Sequence, residues 1–353
     1  MPSTAARACA AVGLVVLAIG CNNVSGGQGS GLDGPVPTAS SLAVNPFAAP
    51  IYGASGVAQL ADGRLIVAGD DQYNPLTIID LFATGASKTF TTREISRALG
   101  AAGGGPLNDV EALTADSRGH VYATTSHALT AKAVEKASRE QLVRFDVLRN
   151  RLVDVRVSTR LKPALVKLDP VFATAAAEEP HEHGGLNIEG IAWDPASNRL
   201  LLGFRSPRRH RHALIVWLQN PDGVFDRGEE PSLLAPIELD LDGEGVRDVT
   251  YSSALGSFVI VAGTWRRGKH TATTLWSWDG QTGQPVKLRA PDFEDLNPEG
   301  ITEVLAQGSR ALLIVSDDGN ADELFARGRA LEQKAVSSRY AILPLSGIAR
   351  ASQ

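Results

Sequence analysis

The residues best suited to chemistry recur at equivalent positions in five repeated segments of the chain. When the segments are aligned on one aliphatic residue, a column of mostly polar residues precedes it by two positions: Ser55, Glu111, Glu189, Arg247 and Glu299. Two positions further upstream stands a second column: Gly53, Asp109, Asn187, Gly245 and Asn297. Because side chains alternate between the two faces of a strand, both columns are expected to share one face. The sequence therefore predicts a cluster of carboxylates and amides there.

Such a cluster needs a compensating charge, because converging carboxylates raise one another's pKa. In one interpretation a divalent cation supplies it, and ligands that are all oxygen favour calcium. The ligands would be six side chains of the two columns: Glu111, Glu189, Glu299, Asp109, Asn187 and Asn297. In the other interpretation Arg247 and Arg205 pair with the glutamates in a dry ring, and the cluster is structural. The residues leave both interpretations open.

A second run of aliphatic residues follows each column and ends in further polar residues. If the two runs form a hairpin, the end of the second lies beside the start of the first. His127 and Arg205 at these ends break the repeat, as a catalytic site would, and are candidate catalytic residues. The candidate ligand contacts are Arg247, Trp265, Asp70 and Asp317.

The elements that must position these residues are short β-strands. Each segment reads as a strand, a polar turn and a second aliphatic strand, and two further strand candidates follow most of these hairpins. Units of four antiparallel strands that repeat along a chain are typical of a β-propeller, whose closure removes exposed sheet edges. We therefore predict an all-β, five-bladed propeller with four-stranded antiparallel blades. A six-bladed propeller is the alternative, because of a long insertion at Leu161–Gly185 that is predicted to be a loop with one helix.

The last segment supplies only three strands before the chain ends, and the segment Ser41–Ala48 is available as the fourth. We expect this N-terminal strand to close the last blade as its outer strand. The tryptophans in predicted strands, Trp193, Trp217, Trp276 and Trp278, are expected to pack within the blades.

The N-terminus has the pattern of an exported lipoprotein. Residues 1–20 contain Arg7 and then an apolar run that is too short to span a membrane, as in a secretory signal. Leu17 to Cys21 resembles the lipobox of bacterial lipoproteins, which predicts that Cys21 is lipidated. The alternative is a plain signal peptide cut near Gly20.

The sequence therefore predicts that the chain has three parts: a signal peptide at 1–20, a lipidated cysteine and flexible linker at 21–41, and a propeller domain at 42–353. The linker is rich in Gly, Ser, Asn and Pro, which disfavours a packed structure. The protein is expected in the cell envelope, anchored to the inner or outer membrane and facing the periplasm or the exterior. A formal net charge of -5 argues against a nucleic-acid partner.

The phrases Asn187–Pro195, Leu200–Pro207, Gly245–Val249 and Asn297–Ile301 resemble an uncharacterised bacterial β-propeller family, a domain of unknown function. This family is more distantly similar to phytase-like (esterase-like) propellers and to propellers of the lactonase and strictosidine-synthase type. In lactonase-type proteins, acidic and amide side chains at the channel mouth hold a calcium ion that polarises a substrate carbonyl.

Carried over by position, the resemblance implies Glu111, Glu189, Glu299, Asn187 and Asn297 as calcium ligands. It also implies His127 as a base. Arg247 stands where such a site would have an acid, and Ser55 and the glycines Gly53 and Gly245 leave two blades without ligands.

Two function hypotheses result. The first is an envelope binding module whose charged mouth takes a small ligand, a cation or an envelope protein. The second is a calcium-dependent hydrolase of a phosphoester, an ester or a lactone. The repetition of the polar columns in every segment favours the first, because one propeller scaffold carries many functions and a repeat is what the fold alone requires.

Overall fold

A computed structural model describes residues 42–69, 75–180, 183–263, 265–266, 269–270, 273–281, 283–291, 293, 296–317 and 337–350. The predicted signal peptide, Cys21 and the linker lie outside the described residues, as does Asp70. Trp265 is described by its backbone only.

The described strands form five antiparallel blades around a common axis, which confirms the predicted five-bladed propeller. The chain enters through β1 (Val44–Pro46). The first blade consists of β2 (Ala54–Gln59), β3 (Leu65–Gly69), β4 (Leu76–Ile79) and β5 (Ser87–Phe90). After helix α1 (Thr92–Ala101), the second blade consists of β6 (Val110–Ala115), β7 (Val121–Thr125), β8 (Leu142–Leu148) and β9 (Arg151–Ser158).

Two helices, α2 (Leu161–Leu168) and α3 (Pro170–Ala175), lead to the third blade. Its strands are β10 (Asn187–Asp194), β11 (Arg199–Arg209), β12 (His212–Leu218) and β13 (Ile237–Leu239), with α4 (Pro221–Asp226) between the last two. The fourth blade begins with β14 (Gly245–Ser252) and β15 (Ser257–Gly263), which are followed by a small hairpin of β16 (Trp265–Arg266) and β17 (Lys269–His270). It continues with β18 (Thr274–Trp278) and β19 (Val286–Arg289).

The fifth blade consists of β20 (Pro298–Ala306), β21 (Ser309–Ser316) and β22 (Arg339–Pro344), with β1 as its outer strand. Val44 of β1 lies opposite Ala341 of β22, which confirms that the N-terminal strand closes the last blade. The strand β23 (Ala349–Arg350) adds a fifth strand to the fourth blade by pairing with β19. Short 3-10 helices occupy Ala137–Arg139 and Leu345–Gly347.

Apolar side chains fill the space between neighbouring blades. The described residues contain five buried hydrophobic clusters, and each joins two adjacent blades around the ring. The innermost strands β2, β6, β10, β14 and β20 each contact their two neighbours, so the ring is closed. The four tryptophans of the predicted strands are buried, as expected. Burial of this apolar surface is the main stabilising contribution to the domain.

Two sequence-based expectations were wrong. The six-bladed alternative fails because the described sheets form five blades, and the described residues of the insertion at Leu161–Gly185 supply no further sheet. The same insertion holds two helices, α2 and α3, where one was expected, because Asp169 ends α2 and caps the start of α3 by accepting the Val171 N–H. Within the described residues, no helix is long and apolar enough to cross a bilayer.

Candidate functional site

A β-bulge at the start of every innermost strand positions the first polar column. In the second blade Val110 lies opposite Thr125 and Ala112 opposite Thr124, so Glu111 has no ladder partner. The equivalent register shift occurs in the other four blades, and the bulged residues there are Ser55, Glu189, Arg247 and Glu299. A bulge redirects its side chain and ends regular pairing. The column predicted from the repeat is therefore a ring of five bulged residues, which we call the mouth ring.

The third blade contributes the most buried part of the mouth ring. The Asn187 side-chain Nδ2–H donates to Glu189 Oε1 at 2.8 Å, and Arg205 Nη1 donates to the same oxygen at 2.5 Å. Asn187 is 5% exposed and Glu189 is 2% exposed. Burial opposes the charge of Arg205, yet the nearby carboxylates of Glu189 and Glu111 hold its pKa above the usual value.

A second arginine–glutamate pair joins the fourth and fifth blades. Arg247 Nε donates to Glu299 Oε2 at 2.9 Å, and a second guanidinium nitrogen contacts the other carboxylate oxygen. The Asn297 Nδ2–H donates to Glu299 Oε1 at 3.1 Å, which repeats the asparagine–glutamate contact of the third blade. Burial lowers the pKa of Arg247, and the charge of Arg205 lowers it further.

The other predicted acids, Asp109, Glu111 and Asp317, also interact with neighbouring groups. Asp109 pairs with Arg139 at 3.0 Å and accepts the hydroxyl of Ser126. The backbone N–H of Asp317 donates to the Asn297 carbonyl at 3.0 Å, which places Asp317 beside the fifth-blade bulge. Glu111 and Asp317 both act electrostatically on Arg247. The mouth ring therefore combines both signs of charge.

His127 follows the end of β7 and is fully buried. Its Nδ1 lies 2.8 Å from the Thr125 carbonyl, so Nδ1 carries the proton and Nε2 the lone pair. That Nε2 has no hydrogen-bond partner within the described part of the chain. Burial lowers the pKa of His127 to about 4, and the imidazole is therefore neutral at neutral pH.

The structure brings together only some of the predicted residues. Glu189, Asn187 and Arg205 are in contact, as are Glu299, Asn297 and Arg247. For these two glutamates the geometry matches the ion-pair interpretation. The described residues contain no group of three or more His, Cys, Asp or Glu side chains arranged to hold a metal. The calcium site stays a prediction.

Sequence reasoning missed Asp248, the residue after the fourth bulge. Its equivalents in the other blades are small: Gly56, Ala112, Gly190 and Gly300. Asp248 is completely buried and accepts the backbone N–H groups of Val249 and Ile301, each at 2.7 Å. A lone carboxylate in a column of glycine and alanine was the signal that could have identified it.

Comparison with known proteins identifies one family and several solved structures of low sequence identity. A family profile described as "Protein of unknown function (DUF3616)" matches residues 150–329, just over half of the chain. A search among curated proteins gives no significant match.

Solved propeller-type structures with low sequence identity align with most of the chain. An exo-beta-1,3-galactanase from Clostridium thermocellum is 9% identical, with 87% of this chain and 62% of that chain covered and a TM-score of 0.47. The PQQ-bound aldose sugar dehydrogenase from Streptomyces coelicolor is 15% identical, with coverages of 87% and 100% and a TM-score of 0.42. The Malassezia sympodialis allergen Mala s 1 is 14% identical, with coverages of 82% and 77% and a TM-score of 0.41. Likeness at this level indicates nothing about activity.

Proposed function

This chain belongs to the family described as "Protein of unknown function (DUF3616)", and we propose that it is an envelope binding module whose mouth ring takes a small ligand. The observation that carries the proposal is a pair of unsatisfied acceptors. Asn187 Oδ1 and Glu189 Oε2 are buried and have no hydrogen-bond partner among the described residues. Buried polar atoms in folded proteins are nearly always paired, and a ligand that donates hydrogen bonds would satisfy these two acceptors.

The position of these acceptors supports a binding role. They stand at the start of β10, where the repeated bulge interrupts the ladder, and bulges are common beside functional sites. Helices α1, α2 and α3 lie in the connections that lead to the starts of innermost strands. Binding residues in many folds lie on such connecting segments over a rigid scaffold.

The proposal is tested by thermal melting of the full-length protein with different ligand classes. Wild-type protein is melted with calcium chloride, with EDTA, and with sugars, polyamines and organic acids. A ligand that binds only the folded state raises the melting temperature. We expect at least one class to raise it in the wild type and not in Glu189→Gln.

Glu303→Gln provides the matched control. Glu303 lies on β20 with Glu299 but near the other end of the strand, where it accepts from Ser253 Oγ at 2.7 Å and pairs with Arg310 at 2.5 Å. Its variant should keep the ligand-dependent shift. The proposal fails if no class changes the melting temperature, or if all three proteins respond equally.

Calcium-dependent hydrolysis is a second candidate function, and one observation favours it. His127 is neutral and its Nε2 lone pair has no partner in the described structure, which is one requirement of a general base, while its complete burial lowers its basicity. The oxygen atoms of Asn187 and Glu189 that lack partners fit calcium chemistry, whereas the nearby Arg205 and Arg247 do not. Stoichiometric calcium in the purified protein, together with esterase, lactonase or phosphoesterase activity lost in Glu189→Gln, would support this function.

The envelope location is part of the proposal and rests on the lipobox-like segment that ends at Cys21. Replacement of the lipidated residue by serine removes the acceptor thiol. In Cys21→Ser we therefore expect the protein to move from the membrane fraction to the soluble envelope fraction. Unchanged membrane association of this variant would contradict lipid anchoring.

A further inference from the structure

We infer that the ligand of the mouth ring is a neutral polyhydroxylated molecule, bound through hydroxyl groups that donate to Asn187 Oδ1 and Glu189 Oε2. This inference rests on the proposed binding function and names its ligand class. Three properties of the described side chains lead to it: the direction of the hydrogen bonds, the balance of charge and the closeness of the two acceptors.

The direction of hydrogen bonding is fixed by the side chains themselves. Asn187 uses its Nδ2–H to reach Glu189 Oε1, so the amide is oriented and Oδ1 faces away with its lone pairs. Glu189 Oε1 accepts two hydrogen bonds, one from Asn187 and one from Arg205. Glu189 Oε2 accepts none from the described residues. Both atoms without a partner among the described residues are acceptors. A ligand must therefore present donors to this site.

The balance of charge argues for a neutral donor. Glu189 already has Arg205 as its counterion, and Glu299 has Arg247. Arg247 also feels Arg205, so a divalent cation or an ammonium group placed beside Glu189 would add positive charge near two guanidinium groups. An anionic group would have to displace a glutamate from its arginine. A hydroxyl satisfies the acceptors and leaves the number of charges unchanged.

The side chains that carry the two acceptors contact each other, which favours one ligand for both. A hydrogen bond of 2.8 Å joins the side chains that carry them, and the two residues lie two positions apart on one strand. Adjacent hydroxyl groups of a polyol can donate to both oxygens. Each hydroxyl keeps two lone pairs, which can accept from a neighbouring guanidinium such as that of Arg205.

The test is calorimetric titration of the full-length protein with defined probes. The neutral probes are glucose, galactose, cellobiose and myo-inositol, and the charged probes are calcium chloride, putrescine and citrate. We expect saturable binding of at least one neutral probe. Asn187→Leu removes the amide oxygen, and Glu189→Asp keeps the charge for Arg205 but withdraws the carboxylate, so each should weaken binding at least tenfold.

Glu303→Gln should bind the probe as the wild type does, and circular dichroism checks that each variant is folded. If Asn187→Leu does not fold, Glu189→Asp alone decides. Binding of a charged probe that depends on Glu189, without binding of any neutral probe, would overturn the inference and leave the proposed binding function intact. If no probe binds, or binding ignores both substitutions, the inference and the proposed function both fail.

Discussion

At the scale of single residues, Asp248 differs from every equivalent residue in the ring. The Gly or Ala at the other four positions allows innermost strands to approach closely, and a Cβ on Gly56 would lie 2.8 Å from the Ala112 Cα. At this position Asp248 instead has a carboxyl group, which accepts from Val249 on its own strand and from Ile301 on β20. It therefore holds the fourth and fifth blades together at their inner edges.

Removal of the Asp248 carboxylate should destabilise the propeller. In Asp248→Ala two buried backbone N–H groups lose their acceptor, and each unsatisfied group costs about 1–3 kcal/mol. We expect the free energy of unfolding to fall by about 3 kcal/mol, measured by urea denaturation. Asp240→Ala, at an exposed position, is the control and should change stability little. A loss no larger than in the control would contradict the role of Asp248.

The ionisation of Asp248 should make the stability of the protein depend on pH. Burial raises the pKa of Asp248 well above its usual value, so the folded chain keeps a proton that the unfolded chain has lost. Its contribution is fully present below about pH 4, near the unfolded pKa of an aspartate, and declines as pH rises. We expect the stability of the wild type relative to Asp248→Asn to decrease between pH 4.5 and pH 8, in unfolding experiments at about these values. A constant difference would contradict this expectation.

The contribution of His127 to stability should change with pH in the opposite direction to that of Asp248. Burial lowers its pKa to about 4, so its contribution is present above the unfolded value of about 6.5 and is lost as pH falls toward the folded value. The full difference corresponds to about 3 kcal/mol. Wild type should therefore lose more stability than His127→Gln between these two pH values, measured by urea denaturation. Equal losses would show that the imidazole is not desolvated.

Which residues occupy the mouth ring could be predicted from the repeat, because the bulge recurs in every blade. The pairing within the ring could not. The sequence predicted that Arg247 pairs with the glutamates without specifying which one, and the folded chain brings it into contact with Glu299. Asn187 and Glu189 are in contact, as the alternation of side chains along a strand predicts. The bulge at Glu189 interrupts that alternation, so the rule explains their contact only in part.

At the scale of elements, the closing strand β1 is the clearest agreement between sequence and structure. The incomplete last repeat required a fourth strand, and β1 supplies it by pairing with β22. Phe47 follows directly, is 5% exposed, and packs with its ring centroid 4.9 Å from that of Tyr340. The segment thus contributes both ladder hydrogen bonds and a buried aromatic side chain.

Two truncations should distinguish the contribution of β1 to stability from that of the residues before it. Removal of residues 1–48 deletes β1 and the Phe47 contact, and loss of a buried phenylalanine alone costs about 3–5 kcal/mol. We expect a clear fall in melting temperature, measured by circular dichroism. Removal of residues 1–41 is the control and should leave the melting temperature nearly unchanged. Equal effects of the two deletions would contradict closure by β1.

Elements without a repeat were harder to predict. Helix α1 has a capping box of Thr91 and Glu94, a local signal that the strand pattern around it obscured. The short strand β23 depends on a partner far away in the sequence, β19, and only two residues pair. No local pattern of so few residues specifies a strand.

At the scale of the whole molecule, five hydrophobic clusters pack between neighbouring blades, and the bulged residues of the mouth ring lie at the starts of the innermost strands. Closure places the five bulges around one axis, so side chains far apart in sequence meet there. For this reason the repeat was sufficient to predict the fold, whereas it did not predict which ligand the mouth ring binds. The repeat encodes the scaffold, whereas recognition depends on the few positions, such as Asn187 and Glu189, where hydrogen bonding stays incomplete in the described residues.

The most direct measurement is a crystal structure of the full-length protein with the neutral probe that binds best in the titration. We predict probe hydroxyl groups within hydrogen-bond distance of Asn187 Oδ1 and Glu189 Oε2, with the Arg205–Glu189 pair retained. A metal ion at these two oxygens, or the probe bound away from the mouth ring, would contradict the account.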